Sequence, residues 1–515
     1  MDVKGDCLPN VPDTDTPPTE VPKCANGGEE QAPLSENRPE ARSSRDPHMV
    51  DWNGPDDPEN PTNWTVGKVA TTVTIVSTIT FLSALSSSIF APGILQVLQD
   101  FESKNSELGS FIVSVFVIGY GFGPLIIAPL SEIYGRLPVY HVCSALFVVF
   151  SAACAVAPNL PALVVFRFLA GLAGSCPLAL SAGTIADIIP YEKRGKAMAA
   201  WTFGPLLGPV IGPIAGGYLI QVKGWRWSFW VVTIAAGVVF IFSVLFMRET
   251  YAYAILNRKI KRLCKETGNQ HLRSVLDKGI SSKKILTTAI IRPSKMLVCS
   301  PIIFLFSFYM FIVYGYLYLI FTAMPIIFES KYSFSTGSIG LTYLGLGVGS
   351  FAGSFAGVLV SGASSDRLAQ HMKAKAGGEP KSEYRLPLVV LGSFMVPTGL
   401  FWIGWTAEFR LHWILPIIGT SVLSLGVTLA FMAILTYLVD AYDVYAASAV
   451  AASILLRSLG GALLPLAGGP MFSALGIGWE SSLLAFIAVA MIPVPILFLK
   501  YGERIRQKRL FNVQF

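Results

Sequence analysis

Long apolar runs recur along this chain and constrain its fold more than any other feature of the sequence. The segment VVTIAAGVVFIFSVLFM (231–247) carries no charge, and 53% of the 515 residues are hydrophobic while 14% are charged. A helix of about 20 apolar residues is long enough to cross a bilayer. Because lipid offers the backbone no hydrogen-bond partner, such segments must be helical. The sequence therefore predicts an all-α membrane protein and argues against a soluble fold.

Pro, Gly and charged residues divide the apolar sequence into twelve predicted spans. The first six lie near 69–92, 108–130, 138–157, 161–186, 199–220 and 228–247. The second six lie near 298–322, 336–360, 387–405, 411–438, 446–473 and 480–500. Two sets of six, separated by a long polar segment, predict two six-helix bundles at 66–247 and 298–500.

Three polar segments complete the predicted organisation. Residues 1–65 are rich in Pro, Asp, Glu, Asn and Ser, so they are expected to be a disordered tail. The central loop at 248–297 is mostly basic, and its start is predicted to form an amphipathic surface helix. Residues 501–515 are a second, basic tail.

The distribution of Lys and Arg predicts which ends of the spans face the cytosol. Of the 39 basic residues, 32 fall on the side that holds both termini, and only five fall on the other side. Loops rich in Lys and Arg stay on the cytosolic side of a membrane, so both termini and the central loop are expected there. These loops also explain the net charge of +7, and no nucleic-acid partner is implied.

Span 5 carries a repeated pattern of glycine and proline. Glycines recur every four residues in Gly204-Pro205, Gly208-Pro209, Gly212-Pro213 and Gly216-Gly217. Small residues at this spacing let a neighbouring helix approach closely. The prolines remove backbone donors and permit bending, so span 5 is predicted to be a tightly packed hinge. A packing helix without a mechanistic part is the alternative.

The Gly-Pro pattern of span 5, together with the segments WRWSFW (225–230) and RETYAYAIL (248–256), gives the chain a resemblance to the major facilitator superfamily. Within that superfamily, the chain resembles the fungal twelve-span drug:proton antiporters. The resemblance covers about residues 60–505 and implies the major facilitator fold, with twelve transmembrane helices in two pseudo-symmetric halves. It also implies a cytosolic latch in which Glu132 and Arg136 join Asp187. The chain departs from the family pattern at Ala128, Ile133 and Leu137, which leaves the latch one cation. Ordinary interfacial charges are the alternative.

Two full positive charges are predicted inside the membrane, Arg167 in span 4 and Arg457 in span 11. A cation is expensive in a bilayer and must face protein, water or substrate, so both are expected to serve transport or coupling. For Arg167 two roles are open. It is either a fixed charge that competes with a proton or binds an anionic group, or a fork of donors that holds helices together.

The resemblance further implies that spans 1, 4, 7 and 10 line a central cavity. The candidate lining residues besides Arg167 are Ser83, Ser86, Ser87, Tyr309, Tyr314, Tyr318 and Tyr437. An aromatic cavity with few polar groups suits amphipathic or aromatic molecules better than sugars or phosphates. Contact of the span 7 tyrosines with lipid is the alternative.

The proton carrier is left open by the sequence. No Asp or Glu falls in the middle of a predicted span, and the candidates near the cytosolic ends are Glu132, Asp187, Asp366, Asp440 and His141. The sequence has no phosphate-binding Gly-x-x-x-x-Gly-Lys-Ser/Thr motif. ATP drive is therefore not supported, and the resemblance implies a proton gradient as the energy source, with no cofactor and no metal expected.

The expected function is proton-coupled efflux of a drug, toxin or secondary metabolite by a monomer in the cell membrane, with the vacuolar membrane as the alternative. A polyamine exporter of the same group and a proton-coupled importer are the alternatives within transport. An enzyme is not expected, because the five His residues form no His-x-x-His pair.

Overall fold

A computed structural model of the chain describes residues 48–103, 106–190, 194–269, 271–276, 282–359, 385–442 and 445–507. Within these residues, eleven helical stretches are long and apolar enough to cross a membrane. The last of them, Ala446–Gly502, has 57 residues. At 1.5 Å per residue a straight helix of that size would be roughly 85 Å long, far more than the ~30 Å apolar layer of a bilayer.

The chain reverses within this stretch at Gly476. Its φ of +73° is a left-handed conformation that glycine adopts without strain. The turn places Glu480 beside Gly468 in one small cavity, whereas a continuous helix would separate them by about 18 Å. The Glu408 carboxylate accepts hydrogen bonds from the N–H groups of Ile477 and Gly478 at 3.0 and 3.3 Å, which caps the returning helix. The stretch therefore holds two spans, and the described residues contain the predicted twelve.

The spans have the following bounds. Span 1 is Val66–Ser88, span 2 Ser106–Tyr134, span 3 Arg136–Ala155, span 4 Leu160–Gly174 with Cys176–Ile188, span 5 Arg194–Lys223 and span 6 Arg226–Phe246. Span 7 is Pro301–Tyr332, span 8 Thr336–Thr342 with Leu344–Leu359, span 9 Pro387–Glu408 and span 10 Ile414–Tyr442. Helix Ala446–Met491 contains span 11 before Gly476 and span 12 after it, and span 12 continues in Pro493–Gln507.

Shorter elements connect the spans. Helix Ile94–Asp100 follows span 1, and helices Ala252–Thr267 and Ser282–Cys299 lie between spans 6 and 7. The 3-10 turns are Pro61–Asn63 and Ala91–Gly93, and strands Met49–Val50 and Arg273–Ser274 pair in parallel. Twelve crossings bring the start of span 1 and the end of span 12 to one membrane face. We call it the terminal face and the opposite one the far face.

Each half of the molecule packs mainly around its own apolar core. In the first half Phe90 stacks on Phe229 with ring centroids 5.3 Å apart. In the second half Phe306 packs on Phe498 at 4.7 Å. Two cores make two rigid bundles, and relative motion of the bundles then costs less than motion inside either one.

The prediction of a disordered tail up to residue 65 is corrected for residues 48–65. This segment pairs by its strand with residues 273–274 of the central loop. Lys259, which is 7% exposed, donates hydrogen bonds to the Asp51 carbonyl at 2.9 Å and to Asn53 Oδ1 at 2.8 Å. Composition pointed to disorder because the partners of this segment lie about 200 residues further along the chain. Residues 1–47, Asp366 and residues 508–515 lie outside the described residues.

Asp57 organises this ordered segment. It is 5% exposed, and its carboxylate accepts hydrogen bonds from the N–H groups of Asn53 at 2.7 Å and Glu59 at 2.9 Å. Those two donors, aided by Lys259 at 3.8 Å, lower the pKa of Asp57 although burial opposes them. We call residues 48–65 with Lys259 the amino-terminal clasp.

Candidate transport site

The two halves are in contact in the far half of the membrane. Ser114 Oγ of span 2 donates a 3.0 Å hydrogen bond to the Ala462 carbonyl of span 11. Gln221 Oε1 of span 5 accepts a 3.0 Å bond from the N–H of Gly337 in span 8. A methyl group on Gly217 would lie 2.7 Å from the Thr336 carbonyl oxygen, so the two backbones touch there. These contacts close the space between the halves toward the far face.

Toward the terminal face, spans 1 and 5 of the first half border an open groove. Its walls are Val73, Thr74, Ser77, Thr78 and Phe81 of span 1 with Phe203, Gly204 and Leu207 of span 5. Phe203 and Leu207 lie seven and three residues before Val210, which packs on Gly347 of span 8. Residues at these spacings share one helix face. This face of span 5 therefore runs from the groove to the contact with span 8.

The glycines of span 5 pack against span 1. A methyl group at Gly208 would lie 2.7 Å from Ala84 Cβ, and one at Gly212 would lie 3.0 Å from the Leu85 carbonyl oxygen. Gly204 and Gly216 meet the backbone of span 1 in the same way. Pro205, Pro209 and Pro213 lie inside the continuous helix. Gly216 faces span 1, whereas its neighbour Gly217 faces span 8. Span 5 therefore packs inside the first half with one face and contacts the second half with another.

Arg167 is 1% exposed and binds backbone groups. Its guanidinium donates hydrogen bonds to the carbonyls of Ser86 at 2.8 Å, Ser87 at 3.1 Å, Ile112 at 3.2 Å and Val113 at 3.4 Å. It also lies 4.7 Å from the centre of the Phe116 ring. These acceptors belong to spans 1 and 2, so the geometry favours a fork of donors that fastens span 4 to both.

Arg457 has a different environment near the middle of span 11. It is 7% exposed, and its guanidinium carbon lies 4.4 Å from the centre of the Tyr314 ring and 4.7 Å from that of Phe431. Within the described residues, its Nε has no hydrogen-bond partner and no carboxylate pairs with it. Tyr318 packs against Tyr314 with ring centroids 5.2 Å apart and the rings tilted by 50°. Spans 7, 10 and 11 thus converge on one cation.

Tyr309, Tyr437 and Ser86 do not join this cluster. Tyr309 is buried in the core of the second half, and Tyr437 packs on Phe306 in that core at 5.2 Å. Ser86 is buried, and its carbonyl is taken up by Arg167. Sequence position placed these residues on cavity-lining spans, but only the packing shows which face of each span they occupy.

At the terminal face the structure brings together two of the three predicted latch residues. Arg136 Nε lies 3.2 Å from Asp187 Oδ2. Glu132 is exposed and makes no ion pair with a described residue, so it does not join the latch. Glu249, which is 6% exposed, accepts hydrogen bonds from the N–H groups of Arg136 at 2.9 Å and Leu137 at 3.3 Å.

Glu249 follows span 6 and belongs to the segment RETYAYAIL (248–256), which carried the resemblance but no assigned role. It also accepts from the N–H groups of Thr250 and Tyr251, both at 3.1 Å. Tyr251 lies under the Arg136 guanidinium at 5.1 Å, and burial raises the pKa of its hydroxyl. The latch is therefore built around Arg136 by Asp187 and Glu249.

Glu480 is a buried carboxylate that the sequence did not single out. The sequence places it at the start of span 12, whereas the helix resumes before it and carries it inside. It is 6% exposed, its Oε1 has no hydrogen-bond partner among the described residues, and it faces a small cavity. That cavity is lined by Ser110 of span 2, by Leu319, Thr322, Ala323, Ile326 and Ile327 of span 7, and by Gly468, Gly469 and Phe472 of span 11. The cavity thus spans the interface of the two halves.

Two other candidate proton carriers differ in their surroundings. The Asp440 carboxylate is paired with Arg385 at 2.5 Å. The His141 ring packs edge-on against Phe240 at 6.4 Å, and its buried Nε2 has no hydrogen-bond partner among the described residues. In the described part of the chain no three His, Cys, Asp or Glu side chains are grouped as a metal site would require.

Known proteins resemble the chain over most of its length. Residues 76–465 match the sequence profile of a family described as the Major Facilitator Superfamily. The MFS-type transporter penM of Penicillium rubens is 56% identical over 92% of both chains. The efflux pump radE of Floropilus chiversii is 47% identical over 91% of this chain and 87% of its own.

Solved structures share the fold at low identity. The inward open form of the xylose transporter XylE from E. coli has a TM-score of 0.62 at 15% identity, over 85% of this chain and 99% of its own. An inward-facing bacterial homolog of the human lysosomal transporter Spinster has a TM-score of 0.63 at 13% identity, over 87% and 100%. The predicted fold is confirmed.

Proposed function

The chain belongs to the major facilitator superfamily, and on that premise we propose that it exports small amphipathic or aromatic organic molecules in exchange for protons. Like its relatives, it is an integral membrane transporter and not an enzyme. Its relatives include fungal MFS-type transporters and a fungal efflux pump. The substrate class, the proton coupling and the direction of transport are the proposed parts.

The aromatic cluster around Arg457 carries the proposal. Tyr314, Tyr318 and Phe431 offer flat apolar surfaces close to a polar centre at mid-membrane depth, as sites for amphipathic molecules do. The predicted orientation makes the terminal face cytosolic. The groove between spans 1 and 5 then opens toward the cytosol, while contacts between the halves close the far face. This arrangement supports entry of a molecule from inside the cell.

Proton coupling is supported by Glu480. A charged carboxylate without a partner is costly in a buried site, and protonation removes that cost. Its cavity includes Ser110 of the other half, so separation of the halves at the far face would open the cavity to the outside. We propose that Glu480 takes up an external proton in the outward-open state and thereby favours closure, which would make the proton gradient the energy source without a cofactor.

A polyamine exporter fits the site less well. A polycation needs carboxylates or an aromatic cage free of positive charge. Here Arg457 already occupies the space between Tyr314 and Phe431. A proton-coupled importer is the alternative, because the gradients of proton and substrate set the direction in which a carrier of this fold moves its substrate. We propose the cell membrane as the location, with both termini cytosolic and the monomer as the working unit.

The experiment is efflux from cells or proteoliposomes that hold a fluorescent aromatic probe under an imposed pH gradient, normalised to protein in the membrane. We expect efflux that accelerates with external acid and slows when an ionophore dissipates the gradient. Efflux that ignores the gradient would remove proton coupling. Uptake in place of efflux would establish the importer.

A further inference from the structure

We propose that Arg457 is an anion-binding group and that the favoured cargo is an aromatic molecule with an acidic substituent, a carboxylate or a phenolate. This inference rests on the proposed function, because it names the substrate class of the same site. It adds a charge requirement that the aromatic surfaces alone do not impose.

The first argument is the contrast between the two buried arginines. Arg167 has four backbone acceptors within hydrogen-bonding distance. Arg457 is almost as deeply buried, yet its Nε has no acceptor among the described residues. Buried polar groups are ordinarily hydrogen-bonded, and an unsatisfied one calls for a specific explanation. A ligand that brings the missing acceptor provides one.

The second argument is the absence of charge compensation. The ion pairs of the described residues involve Arg136, Arg226, Arg258, Arg262 and Arg385 among the arginines, and Arg457 is in none of them. Removing a charge from water without a counter-charge costs several kcal/mol of desolvation free energy. An anionic ligand would offset that cost, whereas a neutral one would leave it in place.

The third argument is the chemistry around the cation. Tyr314 and Phe431 hold the guanidinium by cation–π contacts, which leave its N–H donors in need of an acceptor. Guanidinium donors match the two oxygens of a carboxylate in geometry. The rings of Tyr314 and Tyr318 lie next to this position, so an aromatic body joined to the acid would find stacking partners.

The position within the fold agrees with a ligand site. Gly121 of span 2 packs on Ser458, the neighbour of Arg457, and Ser114 bonds to Ala462 one turn further on. Arg457 therefore lies just below the contacts that close the far face. A ligand bound there would be the last group released when those contacts separate, which is the place of a central site in an alternating-access carrier.

The test uses purified full-length protein and three matched pairs of probes: 2-naphthoate, anthracene-9-carboxylate and pyrene-1-carboxylate, each against its neutral amide. Binding is read as the ligand-dependent rise of the melting temperature in detergent, and transport as efflux from proteoliposomes. We expect the acids to bind at least tenfold more tightly than their neutral partners. Arg457→Gln should abolish that preference, read as the ratio of the two affinities within each pair, while Arg457→Lys should keep part of it. One charge-assisted hydrogen bond corresponds to a loss of about 10- to 100-fold.

Arg410→Gln is the matched control, because Arg410 is an exposed cation of the far face. The inference is overturned if no acid in the panel binds better than its partner, if Arg457→Gln weakens acids and neutral probes alike, or if chloride alone saturates the site. Arg457→Lys keeps the experiment decisive should the Gln variant unfold. If the native protein exports the neutral probes and shows no preference for acids, this inference is contradicted and the proposed function stands. If the native protein transports neither the acidic nor the neutral probes, the proposed function itself is contradicted.

Discussion

The guanidinium of Arg167 donates a 2.8 Å hydrogen bond to the backbone carbonyl of Ser86, and so fastens span 4 to span 1 in the interior of the first half. Three further carbonyls complete the set of acceptors. A side chain that binds only backbone groups fixes helix positions. This relationship separates the two roles that the sequence left open for Arg167.

We therefore predict that Arg167→Lys fails nearly as badly as Arg167→Ala. A lysine ammonium is a compact charge and cannot reach acceptors on two helices as a planar fork does. Loss of one partner in such a buried network costs about 3–5 kcal/mol. The measurement is the melting temperature of the purified protein together with normalised efflux. A Lys variant with native stability and partial efflux would restore the fixed-charge role.

The second prediction concerns the glycines of span 5. Replacement of Gly212 or Gly216 by Val should disable transport, because the added methyl groups would meet the backbone of Leu85 or Ile89. Overpacking of this kind costs about 1–3 kcal/mol, so membrane abundance should be largely kept. Gly237→Val in span 6 is the matched control, since nothing lies within 4 Å of its added carbon. Native efflux by both span 5 variants would contradict the tight-hinge interpretation.

The third prediction concerns Glu480. Glu480→Gln keeps the shape of the side chain and mimics its protonated form, so the variant should bind probe normally but lose the dependence of efflux on external pH. In the native protein, we expect the efflux rate to change by about 5- to 150-fold with external pH. No other charged residue lines its cavity, and the nearby Glu408 is engaged by Lys331 at 3.3 Å. Glu329→Gln, an exposed acid of the far face, is the control. An unchanged pH profile in Glu480→Gln would move proton coupling to another residue.

The fourth prediction concerns the amino-terminal clasp. Asp57→Ala should expose residues 48–65 to protease and speed their amide exchange by about 5- to 150-fold, from the ~1–3 kcal/mol lost when buried donors lose their acceptor. Asp56→Ala, at the exposed neighbouring position, should have no such effect. Equal protection in both variants would argue against the clasp.

The pH dependence of the clasp follows from the lowered pKa of Asp57. A carboxylate whose folded pKa lies below its unfolded value contributes stability that is fully present above the unfolded pKa, near 3.9, and is lost as pH falls through the folded pKa. The clasp should therefore hold at neutral pH and open only in strong acid. Exchange rates of residues 48–65 measured against pH check this expectation.

Much of the architecture was predictable from the sequence, because in lipid a long apolar run has no alternative to a helix. The span count, the two halves and the Gly-Pro motif follow from that rule and from spacing. The boundaries were less accurate. Span 7 continues through Pro325 to Tyr332, ten residues beyond its predicted end, because a proline inside a packed transmembrane helix is tolerated.

The site was predictable only in part, because contacts between distant segments decide it. The sequence identified Arg167 and Arg457 as equivalent buried cations, yet one binds four carbonyls and the other lies unpaired between two rings. It also passed over Glu249 and Glu480, which look like ordinary interfacial acids. Their burial depends on the neighbouring loop in one case and on the reversal at Gly476 in the other.

The sequence by itself thus determined what must cross the membrane, since hydrophobicity is a local property of each segment. The tertiary structure alone decided which charges are satisfied, since a hydrogen-bond partner can come from any part of the chain. Ser86 and Ile112 satisfy Arg167 from 81 and 55 residues away. Helix packing supplies no such acceptor to Arg457 among the described residues. A cation left unpaired by the fold is the physical reason to look for its partner in the transported molecule.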